Sequence, residues 1–282
     1  MKMPSVPSWA SLSNLTGDTK STDLNRAANV VGLAERTRLE GDLKAAADLY
    51  AVAIDKMPKD AALHVRHSFV LLDLGRAREA EFGFRQALAL QPNLPDAMRG
   101  LGNALLAQDR TTDAAAQFKL AMAATGSAKV DYRLYTGLGV ALDLKGDHKA
   151  AQVAYRAGLK IHPDNLTLAN NLGLSLALSG RHQEAIGILS KVVANDRATA
   201  RHRQNLAMVH GLAGNHGQAA KIARSDVDAN TATTNLAYYD VLRSMRGWAP
   251  APAPQPAKNG ADDPALDTVP LSLNSRGISA NE

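Results

Sequence analysis

The 282-residue chain contains no cysteine, which removes disulfides, thiol catalysis, thiolate metal ligands and lipid attachment through Cys. Aromatic residues make up only 4% of the sequence, too few for one large aromatic-centred core. No run of 18 or more apolar residues occurs, so no membrane-spanning helix is expected. The first 25 residues have no apolar stretch of the kind an export signal needs. The net charge of +5 is modest, no run of five basic residues appears, and no aromatics interleave with Lys or Arg, so a nucleic-acid partner is not indicated.

Chemistry-bearing motifs are missing too. The eight histidines form no His-Glu-x-x-His pair. His64 and His67 would share a helix face, but His67 falls at an inward apolar position and no acidic or Cys ligand lies near in sequence, which favours packing over ligation. Gly137–Gly139 begins like a dinucleotide turn but lacks the third glycine. No phosphate-binding loop and no Gly-x-Ser-x-Gly elbow is present. The sequence therefore predicts no enzyme, no cofactor, no metal and no small-molecule substrate.

What the chain does have is a period. Leu138, Gly139, Leu142, Gly146, Ala151, Tyr155 and Gly158 recur 34 residues later as Leu172, Gly173, Leu176, Gly180, Ala185, Leu189 and Val192. The same frame divides the chain into Ala27–Asp60, Ala61–Leu94, Pro95–Ala128, Tyr132–Asn165, Leu166–Thr199 and Ala200–Thr233, with Lys129–Asp131 as an insertion. Each unit reads as two helices joined by a turn at Gly41, Gly75, Asp109, Gly146, Gly180 or Gly214, where the backbone must enter the left-handed region. Pro58, Pro92 and Pro163 stop the second helices. Asp60, Asn93, Asp96 and Asp164 lie where an N-cap acceptor is needed. Ala34, Ser68, Gly102, Gly139, Gly173 and Ala207 are small, so paired helices can approach closely. Tyr50, Phe84, Phe118, Tyr155 and Leu189 are large and are expected to fill the gap between units. The sixth unit drifts, with Ala223 and Asp226 off the pattern, and Thr234–Trp248 reads as one more amphipathic helix that caps the open end.

A repeat of this period and spacing resembles the tetratricopeptide repeat family. The resemblance implies an all-α fold: a right-handed α-solenoid of about six helix–turn–helix repeats with a C-terminal capping helix. The predicted organisation is an N-terminal arm over 1–25, rich in Ser, Thr and Pro and expected to be disordered; the solenoid over 26–248; and a Pro/Ala-rich disordered tail over 249–282. Within the tail, Val269–Leu273 is the one apolar spot and a candidate docking motif.

In such a stack the first helices line a concave face suited to a partner helix or extended peptide. The residues predicted on it are Val65, Phe69, Leu72, Arg99, Asn103, Arg133, Val140, Leu144, Asn170, Leu174, Leu178, Gln204 and Met208. The competing reading is that many of them simply pack against the next unit. Arg99 and Asn103 match the start of the carboxylate clamp of chaperone-binding members. Gly137, Thr167 and Asn171 then stand where its remaining Asn and cations are needed, so a chaperone C-terminus is not the expected ligand.

Arg203–Asp228 and Asn235–Arg243 further resemble the C-terminal part of TadD-type assembly proteins of the tight-adherence (Flp) pilus. That resemblance implies a pilotin-like role, a secretin or other pilus component as partner, and an outer-membrane-associated periplasmic location. The sequence departs from it in having neither export signal nor lipid-bearing Cys, which points to the alternative of a general cytoplasmic scaffold.

Overall fold

The computed structural model describes residues 27–125 and 131–245. The predicted arm, the tail and its Val269–Leu273 motif lie outside the described residues. Within them the structure is helical, with no strand. In order the helices are α1 (27–39), α2 (Leu43–Lys56), α3 (Ala61–Asp73), α4 (Ala77–Leu90), α5 (Pro95–Leu106), α6 (Thr111–Thr125), α7 (Tyr132–Leu144), α8 (His148–Ile161), α9 (Leu166–Leu178), α10 (His182–Val193), α11 (Ala200–Leu212), α12 (His216–Ala223) and α13 (Ala229–Met245). They fall into two compact units divided between Val130 and Asp131, one holding α1–α6 and the other α7–α13. The division sits at the predicted insertion.

Within each hairpin the turn is set by one residue of positive φ. Gly41, Gly75, Gly146, Gly180 and Gly214 adopt φ of 74–91°, and Asp109 adopts 59°. The Asp109 turn closes as the glycine turns do. Its N–H donates to the Leu106 carbonyl at 3.0 Å, and the next N–H, of Arg110, donates to Leu105 at 3.0 Å. Gly75 and Arg76 make the equivalent bonds to Leu72 and Leu71 at 2.9 and 2.8 Å. This double closure satisfies the orphan carbonyls at the end of the first helix. The second helices α2, α4 and α8 end two residues before Pro58, Pro92 and Pro163.

Helix starts partly depart from expectation. Asp60 caps α3 through the amides of Ala62 and Leu63. Asn165, one residue past Asp164, caps α9 by accepting from the Leu168 amide at 3.0 Å. Helix α5 starts with Pro95 at its first position and has no side-chain cap, and Asp96 lies in its first turn beside the helix dipole instead. At the second helices two solutions occur. Asp42 and Asp147 accept from the Ala45 and Ala150 amides at 3.0 and 3.1 Å. At the equivalent positions Arg76, Arg110 and Arg181 instead pair with an acid three residues on, Glu79, Asp113 and Glu184, at 2.6–2.7 Å.

In the α5–α6, α7–α8 and α9–α10 hairpins the small-to-large crossing lies inside the hairpin rather than between units. A Cβ added at Gly102 would sit 2.8 Å from the Phe118 ring, and one at Gly173 would sit 2.6 Å from Leu189 Cγ. Gly139 is covered in the same way by Tyr155. These large residues are fully buried, as are Tyr50 and Phe84. Phe84 also reaches across to Gly100 of the following hairpin, so it alone among these glycine contacts bridges two hairpins as expected. Only glycine allows so close an approach, and close approach is what brings dispersion contacts into range.

Polar staples join successive hairpins. In the first unit Glu81 of α4 accepts from Gln108 Nε2 at 2.8 Å and from Arg110 at 2.9 Å. In the second unit Gln152 of α8 donates to Ser179 Oγ at 3.0 Å and accepts from Arg181 at 3.0 Å. Helix α13 packs on α11 and α12, with Ala232 and Tyr239 buried and Tyr239 lying over Gly211. It closes the α11–α12 hairpin as the predicted cap does.

Candidate functional site

The first helices run side by side within each unit: α3 packs on α5, and α7, α9, α11 and α13 pack in succession. The partner-binding residues predicted on these helices differ in how far they reach solvent. Val65, Val140, Asn170 and Leu174 are buried. These four support the face and do not form its surface.

In the first unit Phe69, Leu72, Arg99 and Asn103 are half-buried. Phe69 meets Phe84 edge-on at 4.9 Å. The Arg99 guanidinium lies 4.8 Å above the Phe69 ring and is held by Asp96 at 2.9 Å. Stacking and an ion pair together fix the arginine before any partner arrives, which lowers the entropy cost of using it.

In the second unit Leu178, Gln204 and Met208 are half-buried, while Arg133 and Leu144 are exposed. Arg133 lies 5.2 Å over the Tyr132 ring and 3.1 Å from Asp131. Gln204 is already committed: its Nε2 donates to the Ala223 carbonyl at 3.3 Å. Asn170 accepts from Asn205 at 2.9 Å and so ties α9 to α11.

The drift of the sixth repeat has a structural reason. Asp226 forms a two-pronged ion pair with Arg203, whose Nε lies 3.0 and 3.1 Å from the carboxylate oxygens. The Arg203 hydrogen bond holds the Asp226 carboxyl below its usual pKa.

A buried polar cluster escaped the sequence reading. Asp143 of α7 accepts from Ser175 Oγ of α9 at 2.7 Å and from the Tyr155 hydroxyl of α8 at 3.1 Å, and it lies 2.8 Å from His148 Nδ1. Burial pushes the Asp143 pKa up, against the hydrogen bonds from Ser175, His148 and Tyr155. The members are those of a hydrolase, but the geometry is not. Ser175 donates to the carboxylate, its oxygen meets His148 only at the backbone carbonyl at 3.4 Å, and Ser175, Tyr155 and Asp143 are all buried. A nucleophile–base pair needs the hydroxyl on the imidazole. The cluster ties α7, α8 and α9 together. The signal for it was an acid at Asp143, where the other five repeats place Arg38, Leu72, Leu106, Ala177 and Gly211.

Other candidates are weaker. His67 is half-buried, and burial lowers its pKa, while His64 Nε2 is bonded to the Pro58 carbonyl at 2.9 Å. Among the described residues no group of three metal-ligating side chains converges, and no helix is long and apolar enough to cross a membrane. A hollow of about 550 Å³ beside the Gly75 and Asp109 turns is lined by Arg76 and Arg110, but both are spent on Glu79, Glu81 and Asp113. Gly137, Thr167 and Asn171 are buried, so the clamp begun by Arg99 and Asn103 has no exposed continuation at those positions.

Repeated hairpins of this register build the tetratricopeptide repeat fold, which serves as a protein-interaction scaffold and is generally non-enzymatic. Residues 70–129 and 136–200 match the tetratricopeptide repeat family model. It is similar to the uncharacterized protein y4yS of Sinorhizobium fredii, 35% identical over 104 residues, which is 37% of this chain and 56% of that protein. The chain thus spans about half the length of this curated relative. Among solved structures it is similar to a tetratricopeptide repeat protein from Parabacteroides merdae, with TM-score 0.63 and 16% identity over 76% of this chain and 84% of that one. It is similar also to pilF of Pseudomonas aeruginosa, with TM-score 0.63 and 14% identity over 78% of this chain and 99% of that one. At these identities the likeness is one of fold.

Proposed function

We propose that this chain is a pilotin-like assembly factor of a Flp/Tad-type pilus or secretion system, which holds a helix or extended peptide of a partner against its first-helix faces. The partner intended is a segment of the outer-membrane secretin. The observation that carries the binding mode is the preset Phe69–Arg99–Asp96 stack with half-buried Leu72 and Asn103 beside it. An apolar floor with one oriented cation suits a peptide that brings apolar anchors and a carboxylate. In the second unit, taken by itself, Leu178 and Met208 are likewise half-buried and apolar. The pilus assignment rests on the resemblance of Arg203–Asp228 and Asn235–Arg243 to TadD-type proteins. The fold likeness to pilF agrees with it at the level of architecture.

The test is affinity measurement between the full chain and secretin segments, with variants at surface positions rather than at buried Val140 or Leu174. Leu72→Asp, Arg99→Glu and Met208→Asp should each weaken binding at least tenfold while leaving the far-UV spectrum native. Wild-type affinity in all three would remove the groove assignment. If no secretin segment binds, yet another cellular peptide is held and released by the same substitutions, the alternative of a general scaffold stands and the pilus role falls.

A further inference from the structure

Val241 stands 34 residues after Ala207, which itself stands 34 after Gly173. In the earlier hairpins this position is covered by the second helix: Gly102 by Phe118, Gly139 by Tyr155 and Gly173 by Leu189. Ala207 clusters with Ala223 of α12. On α13 the position is open. Val241 and Tyr238 are each 52% exposed and Met245 is 70% exposed. With Thr234 they run at spacings of four, three and four along one side of α13, which is the period of a two-helix seam. Ala237 and Ser244, which flank it, are exposed and uncharged, whereas Asp240 and Arg243 pair with each other at 3.1 Å away from the seam. The sequence that follows has Pro250, Pro252, Pro254 and Pro256, a spacing that disfavours a helix interior.

We propose that α13 is the first helix of an unfinished seventh hairpin, and that its open face is covered by α13 of a second copy of this chain, antiparallel about a two-fold axis near Val241. The pairing places Tyr238 of one copy against Met245 of the other and the two Val241 side chains close to the axis. A seam without charge meets no like charge in its symmetric partner, which is the electrostatic condition for self-association. One helix face is small against the roughly 800 Å² per partner of a stable dimer. The association is therefore weak, with a dissociation constant in the micromolar range or above.

The test is analytical ultracentrifugation of the full chain from 1 to about 500 µM, a span set by that affinity range. The expected result is a reversible monomer–dimer equilibrium that Val241→Asp weakens at least tenfold. Because the chain lacks cysteine, Val241→Cys introduces a single thiol, and mild oxidation should link copies much faster than it links Val153→Cys, which is placed at a more exposed site on α8. Three results overturn the proposal: a chain monomeric throughout, a dimer indifferent to Val241→Asp, or a dimer that appears only when Val269 and Leu271 are replaced by Asp, which would make the tail the occupant.

Discussion

Replacing Gly139 by alanine tests the packing rule that the α5–α6, α7–α8 and α9–α10 hairpins share. A helix interior normally gains about 1 kcal/mol from such a change, because glycine costs more backbone entropy. Here the new methyl would fall inside the Tyr155 ring edge, and Tyr155 is fully buried with its hydroxyl fixed on Asp143 at 3.1 Å. The ring cannot retreat without weakening that bond. Overpacking costs about 1–3 kcal/mol, and a weakened hydrogen bond to a buried carboxylate costs about 1.5–3 kcal/mol. Set against the helical gain, the net loss is about 1.5–5 kcal/mol. With a urea dependence of about 2 kcal/mol/M, the midpoint of the far-UV transition should fall by about 0.8–2.5 M. Gly187→Ala is the matched control. It is the same change inside helix α10, but nothing lies within 4 Å of its new Cβ, so it should raise the midpoint by a few tenths molar, corresponding to about 0.5–1 kcal/mol. In a Tyr155→Phe background, where the hydroxyl is already gone, the Gly139→Ala penalty should shrink to the overpacking part alone. A Gly139→Ala protein as stable as the parent would refute the reasoning, because it would mean that the α7–α8 crossing yields freely.

Further outcomes follow from other contacts. Phe118→Ala, at a fully buried ring, should cost about 3–5 kcal/mol in chemical denaturation. Although burial opposes its charge, hydrogen bonds from Gln108, Arg85 and Arg110 leave the Glu81 carboxyl below its usual pKa. Its contribution to stability is present above the unfolded carboxylate pKa and is lost as pH falls through the lowered folded value. Glu81→Gln should therefore flatten the acid limb of a stability–pH curve, with little change in slope at neutral pH. Arg203→Ala should leave Asp226 without its partner and raise amide exchange over residues 215–228 at least tenfold, while exchange in α7 and α8 stays unchanged.

The sequence was a good guide wherever a position had one physical job. The turn residues had to enter the left-handed region, and all six did so, the non-glycine Asp109 included. The large residues Tyr50, Phe84, Phe118, Tyr155 and Leu189 had to be buried, and all are. It guided less well where one position serves two neighbours. Val65, Val140, Asn170 and Leu174 were expected on the inner face, but all four are buried, Asn170 being tied to the neighbouring first helix through Asn205, and periodicity alone cannot rank packing against exposure. Polar ties between hairpins were also missed, because Glu81 to Arg110 and Gln152 to Arg181 each span 29 residues. Only comparison of one repeat with its successor would pair them. The pairing of Asp226 with Arg203 was hidden in the same way: what read as decay of the pattern was an exchange of an apolar contact for an ionic one.

The two kinds of start at the second helices have a consequence for how the chain can be cut or grafted. Helices that begin after Asp42 and Asp147 carry their own cap and need nothing upstream. Those that begin after Arg110 and Arg181 lean backwards onto Glu81 and Gln152 of the hairpin before. Hairpins therefore come in ordered couples, and a fragment boundary placed between α4 and α5, or between α8 and α9, leaves a leader without its follower. A break placed between Val130 and Asp131 severs none of these ties, which makes it the natural joint for building shorter or longer arrays from this sequence.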